Sequence, residues 1–234
     1  MALPKLNDKP KYELVIPSSG KKVKYRPYLV KEEKVLMMAL ESGDKNTALN
    51  AVVDTIEACI NDPIDKNDLS IFDIEYMFIM IRSKSVGEIS EVGVKCPKCN
   101  TVNEVSIKLD DVKLPSIPKD KSIEINDTIS LQMRYPGYMD VASLEDETLS
   151  GTEKVFKLIG KCIESVTTED EFILIKDTPE SELEEFIESL SSAQFMKIKD
   201  FVENIPTVEK DVTFHCKSCS EKNDIKLKGI DDFF

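Results

Sequence analysis

The chain has 234 residues, 41% of them hydrophobic and 32% charged, with a formal net charge of −13. That composition describes an ordinary soluble globular protein, long enough to bury one large core or two small ones. Its acidity repels phosphate backbones and disfavours a nucleic-acid role for the whole surface. No apolar run approaches the ~20 residues that span a bilayer, and Met1-Ala2-Leu3-Pro4-Lys5-Leu6 lacks the apolar centre of a signal peptide.

The first ten residues, with Pro4 and Pro10, read as an extended arm. Tyr12 to Ile16 and Lys22 to Tyr28 alternate around Pro17-Ser18-Ser19-Gly20, which is turn chemistry, so a hairpin is expected. Residues 1–34 hold nine Lys or Arg against four Asp or Glu, a local +5 that leaves −18 for the rest. The asymmetry points to docking: Lys21, Lys22, Lys24 and Arg26 are expected to meet an acidic partner surface, the alternative being a solvated hairpin. Three helices follow. The first is Lys31 to Leu40; the second carries the stripe Leu49, Val52, Val53, Ile56 and Ile60 beside Cys59; the third starts at Ser70 as N-cap, with Ile71, Ile74, Met77, Phe78 and Ile81 on one side. Met77 and Met80 read as core rather than as a plastic partner groove.

A first knuckle spans Val92 to Leu109, and Pro115 to Lys121 marks a linker. A second hairpin is expected from Ser122 to Tyr135 around Asn126-Asp127, ending at Pro136-Gly137. Val155, Leu158, Ile159, Cys162 and Ile163 then share one helical stripe. Thr178, Pro179 and Glu180 stand as N-cap, N1 and N2 of a helix whose inner side is Leu183, Phe186, Ile187 and Leu190. Ser191 to Gln194 fits a capping box, and Phe195, Ile198, Phe201 or Val202, and Ile205 carry the last helix to Pro206. The layout runs hairpin, helices, knuckle, twice over, without a residue-level repeat.

The two knuckles hold Cys96-Pro97-Lys98-Cys99 and Cys216-Lys217-Ser218-Cys219, each a turn flanked by strand-like sequence. Two Cys-x-x-Cys turns aim four thiolates at one point, the geometry of structural zinc. A redox dithiol would open a helix, and neither turn is followed by a helical pattern. The 116 residues between the pairs exceed the usual compact spacing, yet closing the longer loop costs only roughly 1.7 kcal/mol more, against ~10–16 kcal/mol of apparent zinc binding. The fold expected is α+β: mostly helical sections with short antiparallel hairpins, tied by a split four-cysteine zinc ribbon. The divisions are 1–90 for the basic hairpin and helices, 91–110 and 211–230 for the ribbon, and 111–210 for an inserted section. Cys59 and Cys162 remain as buried thiols, in keeping with a reducing compartment.

Catalysis is poorly supplied. His215 is the one histidine and reads as a strand neighbour of Cys216 rather than a ligand, and no phosphate-cradling or dinucleotide motif occurs. Glu180, Glu182, Glu184, Glu185 and Glu188 lie opposite an apolar stripe and read as a solvated face. A zinc held by four sulfurs has no open position, so the metal is structural and no enzyme is expected. A zinc-ribbon nucleic-acid-binding regulator stays open as the alternative, resting on Lys95, Lys98, Lys108, Lys217, Lys222, Lys226 and Lys228, though Asp110, Asp111, Glu221 and Asp224 dilute their charge. The chain ends Asp231-Asp232-Phe233-Phe234, and the two rings are expected to insert into a neighbour, with folding back onto their own chain as the alternative.

The opening stretch, from Met1-Ala2-Leu3-Pro4-Lys5-Leu6 through Tyr12-Glu13-Leu14 to Lys21-Lys22-Val23-Lys24-Tyr25-Arg26-Pro27-Tyr28, resembles the T-even-like bacteriophage baseplate hub family. The Met-rich helix with Glu41-Ser42-Gly43 and the order of hairpin, helices and Cys-x-x-Cys are similar to it too. The resemblance is strongest over about the first hundred residues. It implies a part in building the hub of a contractile tail, in the host cytoplasm during assembly, with other baseplate hub proteins as partners. It brings no catalytic residue, no small-molecule substrate and no membrane.

Overall fold

A computed structural model of the chain describes residues 10–144 and 149–233. In chain order the first elements are β1 (Tyr12–Val15), β2 (Lys22–Tyr25), α1 (Val30–Glu41), α2 (Lys45–Cys59), α3 (Ile71–Ser85), β3 (Ile89–Lys95) and β4 (Val102–Lys108). Then come β5 (Ser122–Glu124), β6 (Ser130–Met133), α4 (Tyr138–Ala142), α5 (Gly151–Cys162), β7 (Ile163–Thr167) and β8 (Phe172–Leu174). The last are α6 (Glu180–Glu188), α7 (Ser192–Glu203), β9 (Glu209–His215) and β10 (Lys222–Lys228). The result is a mixed fold of helices and antiparallel sheets in two units, Met1–Ser116 with Pro206–Phe234, and Ile117–Ile205.

In the first unit β1 and β2 pair antiparallel with Tyr12 opposite Tyr25, which turns Val23 and Tyr25 into the core. The turn of that hairpin is tied to α3 by Asp73, a fully buried carboxylate. One oxygen accepts the Ser18 N–H at 2.8 Å and the other the Ser70 N–H at 2.9 Å, closing the box that starts the helix. Both bonds satisfy a charge that burial would otherwise disfavour. Helix α3 is covered nearly all round: Phe72, Ile74, Met77, Ile79 and Ile81 are at most 1% exposed. Met77 is therefore core and no groove.

The hairpins β3–β4 and β9–β10 bring their inward faces to one cluster. Val92, Val94 and Ile107 from one, and Val212, Phe214 and Leu227 from the other, surround Ile79, Leu109, Val112, Val208 and Phe233. The returning chain is fastened by Glu75 of α3, which accepts from Thr207 Oγ1 at 2.9 Å and Val208 N at 3.2 Å, and by an antiparallel bridge between Lys113 and Glu209.

The second unit holds a four-stranded antiparallel sheet in the order β5-β6-β7-β8, with α5, α6 and α7 packing on Ile159, Cys162, Ile187 and Ile198. This corrects two expectations. Ile163 starts a strand rather than continuing the helical stripe, because Cys162 ends α5 and Ile163 pairs with Met133. Pro179, not Thr178, is the N-cap of α6. The α7 box stands as read, Ser191 and Gln194 each accepting the other's N–H.

The two halves of the chain also repeat at the level of residues, which corrects the reading of symmetry in outline alone. Arg26 follows β2 and its N–H donates to Cys59 O at 3.0 Å; Arg134 follows β6 and its N–H donates to Cys162 O at 2.8 Å. Arg26 pairs with Glu32 at 2.9 Å, and Arg134 with Asp140 at 2.9 Å. Each carboxylate sits six residues on and caps the next helix, by accepting from Leu29 N and Gly137 N respectively. Cys59 and Cys162 each close a helix, and Ile60 and Ile163 each pair back to the first hairpin. Ser70 and Ser191 each open the helix before the second hairpin. The rest of β7 beyond Ile163, with β8 and the helix α6, is extra to the second half.

Candidate metal centre

Each knuckle is built the same way, at a spacing of 120 residues. Cys96 N–H donates to Thr101 O at 2.9 Å and Asn100 N–H to Cys96 O at 2.8 Å; Cys216 N–H donates to Glu221 O at 2.9 Å and Ser220 N–H to Cys216 O at 2.9 Å. The residue after each second cysteine is left-handed, Asn100 at φ 56° and Ser220 at φ 58°, a conformation that asparagine adopts more readily than most residues. That kink swings the second sulfur back beside the first.

The hairpins face each other so that all four sulfurs lie within 4.8 Å of one another. Cys96 Sγ is 3.8 Å from Cys219 Sγ and Cys99 Sγ is 3.5 Å from Cys216 Sγ. A disulfide needs about 2.05 Å, so these are thiols. A tetrahedron with metal–sulfur bonds of about 2.3 Å has edges of about 3.8 Å, and the cluster fits a four-thiolate metal. The leading cysteines are enclosed, Cys96 at 0% and Cys216 at 2% exposure, while Cys99 is exposed and Cys219 half-buried. The N–H groups of Cys219 and Ser218 pull the Cys216 thiol down to about 6. Cys219 receives the Glu221 N–H, yet burial and the crowding sulfurs of Cys99, Cys216 and Cys96 push it up to about 12. The Thr101 hydroxyl and backbone lower the Cys99 thiol as well, and the crowded sulfurs are a setting whose negative charge a divalent cation would relieve.

Two buried asparagines that the sequence reading passed over complete the surroundings. Asn103 (4% exposed) on β4 and Asn223 (7%) on β10 reach the opposite knuckle's leading sulfur. Their signal was available: each stands four residues after a second cysteine. His215 is exposed at the end of β9, and the five glutamates of α6 are exposed.

The proposed partner contacts separate. Lys22 and Lys24 are exposed, while Lys21 Nζ donates to Pro63 O at 2.8 Å. Arg26 is committed inside the first unit, donating to Pro27 O, Glu32 and Ala58 O at 2.9 Å each, so it is corrected from docking residue to internal clamp. Burial opposes the Glu32 charge, but hydrogen bonds from Arg26, Leu29 N–H and Lys31 outweigh it and hold the carboxyl at about 2. Phe233 is also a correction: its ring is 0% exposed in its own core and Ser90 Oγ donates to its carbonyl at 2.8 Å. The chain folds back because the cluster beneath β3 takes the ring out of water. Phe234 lies outside the described residues. Of the seven knuckle lysines, Lys98 pairs with Glu221, Lys222 with Asp224, and Lys226 with Glu209, which reduces the basic character a nucleic-acid surface needs. Helix α1 turns Val30, Val35, Met37, Met38 and Leu40 outward, 52–78% exposed, interleaved with exposed Lys31, Lys34 and Glu41.

The family model described as "T4 bacteriophage base plate protein" matches residues 9–234. The chain is similar to the baseplate hub assembly protein gp26 of Enterobacteria phage T4, 25% identical over 224 residues that cover 95% of this chain and 97% of that one. No solved structure matches.

Proposed function

This chain belongs to the T4 bacteriophage base plate protein family, and from that premise we propose that it is a non-enzymatic structural or assembly protein of the baseplate hub of a contractile-tailed phage. The observation that carries the proposal is similarity to a hub assembly protein over almost the full length of both chains. The closed four-sulfur cluster supports it, since a metal held there has no position left for a substrate.

Zinc is the metal proposed, held by Cys96, Cys99, Cys216 and Cys219; four thiolates at tetrahedral separations suit it. Such a zinc ribbon clamps β3–β4 to β9–β10 and so joins the middle of the chain to its end. The partners are other baseplate hub proteins, met in the host cytoplasm during assembly. Lys22 and Lys24, exposed on the first hairpin, steer the approach to an acidic partner surface. Affinity capture of the tagged full-length chain from infected cells tests the function. Recovery of hub proteins at fixed ratio is expected. Recovery of nucleic acid alone, released by salt with a steep dependence, would favour the nucleic-acid-binding regulator and contradict the proposal.

A further inference from the structure

The amide of Asn103 has two N–H bonds, and they point in two directions. Nδ2 lies 2.9 Å from Thr101 O in its own knuckle and 3.7 Å from Cys216 Sγ in the other. Its Oδ1 accepts the Lys217 N–H at 2.8 Å, which fixes the amide orientation. Asn223 stands at the equivalent place: Nδ2 lies 3.0 Å from Glu221 O and 3.7 Å from Cys96 Sγ, with its Oδ1 also 3.7 Å from that sulfur. We propose that Asn103 and Asn223 are a reciprocal pair of positioning residues for the metal, each holding the leading sulfur of the opposite knuckle. The proposal rests on the metal reading above and adds to it how the two distant hairpins recognise each other.

The chemistry is that of an outer ligand shell. An N–H directed at a thiolate stabilises its charge and fixes its direction, and groups in that role change metal affinity by about 10–100-fold when removed. Here the bond crosses between hairpins, so neither leading sulfur is fully dressed until the two have docked. Two independent copies of the same side chain, at equivalent positions of the repeat and on equivalent targets, argue against a chance contact.

The copies differ at one point. Lys217, whose N–H binds Asn103 Oδ1, has Pro97 as its counterpart, and proline has no N–H to give Asn223. Asn103 is therefore pinned from both knuckles and Asn223 less so. Loss of Asn103 is expected to weaken the site more than loss of Asn223.

Cobalt(II) in the full-length chain, titrated against a chelator of known affinity, tests this through the thiolate-to-cobalt absorption band. Asn103→Asp and Asn223→Asp remove the donor at constant shape, and Asn103→Leu removes it without adding charge. All three are expected to shift the band and weaken cobalt binding by about 10–100-fold, with the Asn103 variants the weaker binders. A purely structural amide would lower the melting temperature and leave band and affinity as in wild type. Wild-type band and affinity within twofold in the Asn103 variants overturn the proposal. Should these not fold, the same result in Asn223→Asp overturns it. A wild-type chain that takes up no cobalt would instead refute the metal reading itself, and the proposal with it.

Discussion

Replacing Phe233 by alanine removes a ring that is 0% exposed, wedged among Ile79, Val92, Leu109, Val208 and Phe214. Truncation of a buried phenylalanine costs about 3–5 kcal/mol, as lost transfer energy plus the cavity left behind. The bond from the Ser90 hydroxyl to the Phe233 carbonyl survives the change, so nearly all the effect is packing. Against a total stability of about 5–15 kcal/mol, that is about a fifth or more of what holds a domain together. Equilibrium urea unfolding of the zinc-loaded full chain, followed by far-UV circular dichroism, measures it. With a slope of about 2–3 kcal/mol/M, the midpoint of the first unit should fall by about 1–2.5 M. Phe233→Leu, which fills part of the space, should fall by less. If the alanine variant unfolds within about 0.3 M of wild type but loses its hub partners, the ring does its work outside its own core.

Glu32 gives a pH prediction. Its carboxyl is held at about 2 against an ordinary 4.5, so its contribution is present above about pH 4.5 and is lost as pH falls through 2. Glu32→Gln should lower stability near pH 7 by about 1–3 kcal/mol and flatten the acid limb of melting temperature against pH; wild-type and variant limbs that stay parallel contradict it. Cys59 and Cys162 are fully enclosed, and burial pushes the Cys162 thiol up to about 12, so native protein should not react with maleimide at either site until it unfolds. Labelling of Cys162 at the rate of a free thiol would refute that enclosure. Lys22 and Lys24 changed together to Glu should slow association with hub proteins while the melting temperature stays within a degree or two; an unchanged association rate would show both lysines to be solvated only.

Much of this molecule is legible in its sequence wherever the signal is local. The stripe of α3, the boxes at Ser70 and Ser191 and the two Cys-x-x-Cys turns each follow from a few neighbouring residues. What escapes is set by distant partners. Ile163 keeps helical spacing with Val155, Leu158 and Ile159, and only its pairing with Met133 makes it a strand. Phe233 reads as an exposed tail until the hairpins supply a core for it. The repeat is hidden because it preserves roles rather than identities: Arg26 with Glu32 becomes Arg134 with Asp140, and the added residues between Ile163 and Ser191 shift the spacing between equivalent residues. Asn103 and Asn223 became conspicuous once each could be seen across from the other's sulfur.

The central claim is that one metal closes the four-cysteine cluster and clamps two distant hairpins together. Native mass spectrometry of the full chain, beside a Cys96→Ser/Cys216→Ser double variant, tests it most directly. The account predicts one zinc per chain in the wild type and none in the variant. Zinc retained in full by the variant, or a wild-type chain that holds no metal after purification with zinc present, would contradict it.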